Sequence, residues 1–516
     1  MIRGILAFGL IGFVFGQFDW EESGMAVRQG AHIEWQRTAT VGNDGEVIVV
    51  WSDTRFGGRD VYAQKMDNEG NFLWEESGVA VVSAVGRQED PLAVSDGQGG
   101  AYIIWVDYRD EPENGDVYGQ HLLSNGTIAW NPSGIPLSNV LGEQESPNLC
   151  IDGQGGAFAI WNDRSPSSGM AGFIYATHLS PDGSVLAQGT GISVIRNDIS
   201  RGSVSLEVGG TGYANMVWDD SREGEKNNIY GQRMNTSCET LWSTPEEGGI
   251  PLNESPDDQI APRVTYLSGD TSVVVWEDYR NNSLSGDVYV QFIVGDGSLL
   301  LGTEGIPLCT DSSKQSIPRV KADESTAYVV WEDFRNHSEN PDIFANAVTP
   351  EGTVLWGSDG KPISTESRKQ TGPRLTPDGV GGVYIVWKDE HTASFPETEI
   401  FLQRVSASGE ISFPENGLAV CEAPSHQFGP IVRKDSDGGS FVVWGDTRTG
   451  SIGINLQHVD QSIGNTLEQD GIEVFWGVDG NSYFPESVRI DDEQTLIYWK
   501  DERKGSSYSQ IYGQII

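Results

Sequence analysis

The chain has 516 residues, and its 33 Lys and Arg against 75 Asp and Glu leave a formal net charge of −42. A field of that sign opposes nucleic acid and anionic membrane surfaces, keeps a surface soluble, and leaves cations or basic groups as the species it attracts. The four cysteines do not read as a disulfide framework, because Cys309 and Cys421 share one register while Cys150 and Cys238 fall elsewhere, so isolated thiols and stability from packing are expected.

Residues 1–16 place one Arg ahead of an apolar stretch and end on small residues, the pattern of a secretory signal peptide. The product, residues 17–516, is therefore expected to be secreted, periplasmic or held at the cell surface. No later segment approaches the ~20 apolar residues of a membrane-spanning helix, so no membrane span is expected. Residues 18–27 (FDWEESGMAV) closely match residues 72–81 (FLWEESGVAV), which belong to a later repeat.

From there an apolar run ending in Trp-x-Asp recurs nine times, at Trp51, Trp105, Trp161, Trp218, Trp276, Trp331, Trp387, Trp444 and Trp499, spaced 54 to 58 residues apart. A period of roughly 50 residues carrying about four strand-like segments marks a β-propeller or a stacked β array. The second repeat shows the unit: a strand after Pro91, a Gly-rich turn at 95–100, a strand ending in Trp105, a third strand around Tyr118 and Gln120, and an outer strand near Trp130. Asp-Gly and Gly-Gly pairs supply the positive φ that short hairpins need. The Trp-bearing strands are continuously apolar, so both of their faces are expected to be buried, as in blades packed face to face.

The last repeat stops at its third strand, near Tyr512, and the missing fourth strand is the one at 18–27. The expected fold is therefore all-β: a single propeller of nine four-stranded blades, closed by an N-terminal strand that completes the last blade. A monomer is expected.

The Asp of Trp-x-Asp is present nine times, and Arg follows two residues later in seven repeats, as in Asp53 and Arg55, Asp107 and Arg109, and Asp278 and Arg280. A feature repeated around a ring reads as scaffold, so Trp51, Trp105 and Trp276 with those Asp and Arg residues are structural candidates. Each Arg is expected to pair with the Asp or Asn that opens the third strand (Asp60, Asp116, Asn228, Asp287, Asp342). An exposed pair of this kind contributes about 0–1 kcal/mol, whereas a partly buried Arg fork bonded to loop carbonyls would matter more. Gln88, Gln144, Gln259, Gln315, Gln370 and Gln427 each precede a Pro by three residues near the start of the inner strand. They would bond loop backbone or form a polar collar at the channel mouth.

Trp-x-Asp-x-Arg followed by an Asp-x-Tyr-x-Gln strand resembles the repeats of bacterial secreted propeller proteins, and more distantly TolB-like and WD-type propellers. The resemblance covers 17–516 and implies a fold and an exported location; it carries no active site.

Long, varied loops leave one face of the expected ring, and function is expected there. On that face Trp35, Phe428, Trp476, Tyr483 and Phe484 enter three adjacent blades and form a candidate aromatic ligand site, the alternative being that they fill the seam. There is no His-Glu-x-x-His, Gly-x-Ser-x-Gly, P-loop or dinucleotide fingerprint, so no cofactor or metal centre and no catalytic residue is assigned. Acidic turns such as 67–70 could hold Ca²⁺ weakly. Two functions remain: a non-enzymatic scaffold binding an extracellular glycan or protein, and an extracellular polysaccharide hydrolase or lyase.

Overall fold

The computed structural model describes residues 25–27, 34–43, 45–55, 58–67, 71–75, 77–164, 172–196, 201–202, 204–222, 224, 226–390, 397–435, 437–448, 450, 452–474, 482–490, 494–502 and 509–516. Nine antiparallel sheets of four strands follow one another along the chain, and no helix occurs among the described residues. This is a nine-bladed propeller. In blade eight the outer strand is split in two, Gly464–Asn465 and Ile472–Glu473, both paired with Gly453–Asp460.

Each blade runs outward from an inner strand, as in blade five: Gln259–Ser268, Thr271–Asp278, Asp287–Val294 and Ile306–Cys309. The second strands are buried on both faces, as at Val47–Asp53, Ala101–Asp107 and Ala327–Asp333. Their unbroken apolar runs have this cause: one face meets the preceding blade and the other the next. One apolar cluster joins Val273, Val275 and Phe292 of blade five to Val329, Trp331 and Phe344 of blade six. All nine Trp-x-Asp tryptophans are among the largest fully buried side chains. At the ~150–250 Å² that an aromatic side chain buries, each contributes about 4–6 kcal/mol of gross transfer free energy.

Met25–Ala26 pairs antiparallel with the third strand of blade nine, Gln510–Ile515, and the Val27 N–H donates to Ile511 O at 2.9 Å. That sheet thus has the head-to-tail composition expected from the sequence; residues 18–24 lie outside the described residues. Val27, Val47 and Trp51 share an apolar cluster with Leu496, Ile511 and Ile515, so blade one packs on blade nine.

The Trp-x-Asp-x-Arg repeat closes on itself, which corrects the pairing expected from sequence. In blade five the Trp276 indole N–H donates to Asp278 Oδ2 at 2.8 Å, and the Arg280 backbone N–H donates to Oδ1 at 3.0 Å. The Arg280 guanidinium grips both carboxylate oxygens, at 2.8 and 2.7 Å, and also donates to Glu304 O. Its plane lies over the Tyr289 ring at 4.2 Å. Arg therefore pairs with the Asp two residues before it and not with the third-strand Asp, because the turn after the second strand folds its fork back onto that carboxylate. Asp287 bonds Asn281 instead, and Asp342 bonds Asn336. The partly buried fork with loop carbonyls is the arrangement found.

The two blades without this Arg show what it does. Indole-to-Asp bonds of 2.8–3.1 Å occur in blades one, two, four, five, six, eight and nine. In blades three and seven, where Ser165 and His391 take the Arg position, the Trp161 and Trp387 indole N–H groups have no partner. The indole bond and the Arg two residues after the Asp are thus absent together.

All four cysteines are free and buried, as expected. Burial pushes the Cys238, Cys309 and Cys421 thiols up to about 12, which makes them inert packing groups.

Candidate binding site at the channel mouth

The inner strands surround the axis, and most carry a β-bulge near their start. In blades five, six and seven the pairing slips between Ile260 and Arg263, Ser316 and Arg319, and Thr371 and Arg374. The bulged residue adopts positive φ at Asp90 (52°), Ser146 (52°), Ala261 (57°), Ile317 (57°) and Gly372 (64°). Each precedes Pro, which normally forces extended backbone, so these non-glycine positions are strained by about 1 kcal/mol or more. All are exposed at the mouth of the channel. Bulges of this kind re-aim the side chains that follow them.

What holds three of these bulges is the preceding blade. Ala261 N–H donates to Asp219 Oδ1 at 3.3 Å, Ile317 N–H to Glu277 Oε1 at 2.8 Å, and Gly372 N–H to Glu332 Oε1 at 2.9 Å. These acids are the middle residues of Trp-x-Asp in blades four, five and six. Burial raises the carboxyl pKa of Asp219 and of Glu332, each partly offset by that backbone bond. After each bulge comes Pro-Arg, so Arg263, Arg319 and Arg374 leave three neighbouring inner strands at one register.

They line a cavity of about 710 Å³ together with Lys321, Lys388 and Arg433, and among the described residues Glu486 is its one acidic side chain. Among the described residues Arg263, Arg319 and Arg374 have no ion-pair partner. Burial, then the charges of Arg374 and Arg263, lower the pKa of Arg319. A second cavity of about 670 Å³, which shares Glu486 with the first, is lined by Asp90, Glu143, Glu145 and Glu486, with Arg37. Burial and the adjacent Glu89 raise the Asp90 carboxyl above its ordinary value. Arg37 approaches Glu486 at 3.6 Å, and the Tyr498 hydroxyl donates to Glu486 Oε2 at 2.8 Å. The mouth is thus a polarised ring, basic over blades five to eight and acidic over blades nine, two and three.

The aromatic candidates are placed as follows. Phe428 lies half-buried in the inner strand of blade eight, stacked on His426 at 5.5 Å and against Gly445, where a Cβ would come within 2.5 Å of its ring. Trp35, Tyr483 and Phe484 belong to the inner strands of blades one and nine, Glu34–Val41 and Ser482–Arg489, with side chains outside the described residues. Trp476 lies outside the described residues altogether. The six glutamines are fully buried. Gln144 donates to Val140 O and Gly142 O, Gln315 to Ser313 O and Gln427 to Ala423 O, so they brace loop backbone and form no collar.

Of the turn at 67–70 only Asp67 is described, and it accepts the Asn71 N–H at 2.8 Å. Among the described residues no three His, Cys, Asp or Glu side chains cluster to hold a metal, and no helix is long and apolar enough to cross a membrane. The arginine arc was the signal missed in sequence: Pro-Arg recurs at Pro262, Pro318 and Pro373 in three consecutive repeats.

No protein-family model matches this chain, and no curated protein matches it. Among solved structures it is similar to a polysaccharide lyase described as an ulvan lyase, at 10% identity and a TM-score of 0.40 over 74% of this chain and 93% of that one. It is similar to an endo-arabinase from Bacteroides thetaiotaomicron, at 13% identity and a TM-score of 0.27 over 49% and 93% of the two chains. A protein of unknown function from Dyadobacter fermentans matches at 12% identity and a TM-score of 0.33, over 62% and 96%.

Proposed function

We propose that the protein is an exported, monomeric propeller that binds a glycan across the channel mouth on its loop-rich face. The observation that carries this is the pair of adjoining concave cavities, one lined by unpaired guanidinium groups and the other by carboxylates, on strands made rigid by the blades. A sugar chain presents hydroxyl donors and acceptors on every ring and apolar C–H faces between them, which suits a lining that mixes charged side chains with Val264, Val320, Leu375 and Ile431. Trp35, Phe428, Trp476, Tyr483 and Phe484, the aromatic set offered by the sequence, would supply stacking surface for its rings. The test is binding of a polysaccharide panel to the full chain by calorimetry, then to Trp476→Ala and Tyr483→Ala; unchanged affinity in both removes the aromatic part.

A second reading, cleavage of the bound polysaccharide by hydrolysis or elimination, is favoured by one observation. The Asp90 carboxyl is raised in pKa and shares a cavity with Glu145 and Glu486, the kind of pairing that acid and base roles need. Turnover of a polysaccharide that binds, lost in Asp90→Asn, supports cleavage. Binding without turnover leaves the scaffold reading.

The strand at 18–27 is proposed to fasten the ring. Removing the chain through Val27 is expected to lower the melting temperature and to produce dimers through the bared edge of Gln510–Ile515. A monomer of unchanged stability would refute it.

A further inference from the structure

We propose that the ligand at the channel mouth is an anionic glycan whose carboxylate or sulfate groups are held by Arg263, Arg319 and Arg374. This rests on the mouth being a glycan site, and names the class of glycan.

In a chain with 75 acidic side chains, three guanidinium groups at one register of adjacent inner strands have no ion-pair partner among the described residues, and Glu332 acts on Arg319 only through its field. The acids close at hand are engaged elsewhere. Glu277 accepts from Ile317 N–H and from the Tyr279 hydroxyl, and Glu332 from Gly372 N–H, so both fix backbone and leave the arginines open to the cavity. Like charges held together on a rigid wall cost stability, and such a departure from local consistency marks a functional site. Guanidinium forks match carboxylate and sulfate oxygens in pairs, which a scattered lysine patch does not.

Charge density selects the polymer. Duplex nucleic acid carries a charge every ~1.7 Å, and phosphates beyond the arginine arc would cross an acidic rim. A polysaccharide with an anionic group on every sugar or every second sugar can place that group on the arc. Its hydroxyl groups then donate to the carboxylates of Asp90 and Glu145 in the adjoining cavity and of Glu486, which lines both. The cavity of about 710 Å³ falls in the range that takes a few sugar units.

The experiment uses the full chain and four polymers: polygalacturonate, its fully methyl-esterified form, dextran sulfate and dextran. Expected is binding of one or both acidic polymers at least tenfold tighter than of the neutral counterpart, with affinity falling as salt rises. Which acidic polymer binds decides between carboxylate and sulfate. Arg319→Gln and Arg374→Gln should each weaken binding at least tenfold and flatten the salt dependence, with no loss of melting temperature. Arg374→Lys, which keeps charge without the fork, should fall between. Equal binding of the neutral polymers, unaffected by the arginine variants, overturns the anionic assignment and leaves the glycan site standing. Binding of none of the four overturns the glycan site itself. Single-stranded DNA binding as tightly, with the same arginine dependence, overturns the choice of glycan over nucleic acid.

Discussion

Gly305 offers the sharpest test of how the blades are locked. It begins the turn into the outer strand of blade five with φ of 64°, and a Cβ added there would lie 2.6 Å from Trp276 Cη2 and 2.7 Å from Val290 O. Neither neighbour can move: Trp276 is fully buried in a cluster with Val217, Leu252 and Tyr289, and Val290 O is backbone of the third strand. Gly302, three residues earlier, has φ of 73° but open space around the same added atom. Gly302→Ala therefore incurs only the left-handed backbone cost, about 1–2 kcal/mol, partly offset by about 0.4–1 kcal/mol from a less flexible unfolded chain. Gly305→Ala incurs that backbone cost plus overpacking of about 1–3 kcal/mol, roughly 2–5 kcal/mol before the same offset. The displaced chain also strains the bond from Arg280 to Glu304 O, one residue away. Urea unfolding followed by tryptophan fluorescence would give the two values. Equal destabilisation would refute the claim that glycine is needed there to let the backbone approach the indole.

Asp278→Ala should destabilise by about 3–5 kcal/mol in the same assay, since it strips the counter-charge from an Arg280 side chain only 15% exposed and unbonds the indole; a cost near 1 kcal/mol would mean the fork is solvated. Burial, with Asp110, Asp107 and Glu111 nearby, pushes the Asp116 carboxyl up to about 7. The folded state thus holds this proton more tightly than the unfolded chain, so the contribution is complete below about pH 4 and is lost as pH rises through about 7. Asp116→Asn should raise the melting temperature relative to the parent at pH 8 and not at pH 4; the same difference at both would exclude this carboxyl as its source. A thiol reagent should modify none of the four cysteines in the native protein and all four in denaturant; rapid reaction of Cys309 or Cys421 in the native state would contradict their burial.

Blade number, strand order and the pairing of Met25–Ala26 with the tail were legible in the chain because each is written in local signals. Trp-x-Asp marks the end of a doubly buried strand, Gly-bearing turns mark hairpins, and a head segment identical in pattern to an outer strand declares which strand the tail lacks. The partner of each Arg was misread for the opposite reason: Asp278 and Asp287 are both near Arg280 in sequence, and only the turn geometry puts the fork on the former. The glutamines, similarly, could have faced the channel or the loops until their burial was known.

The channel mouth was the work of tertiary structure. Arg263, Arg319 and Arg374 belong to different repeats, and a reading that treats repeats as copies sees a recurring Pro-Arg as ornament. Closing nine blades around one axis turns positions equivalent in sequence into neighbours in space. Three unremarkable side chains thereby become one basic wall, adjoining an acidic one built from blades nine, two and three. Periodicity is set by backbone and packing preferences that act over a few residues; a site on the axis exists only once the ring has brought those residues together.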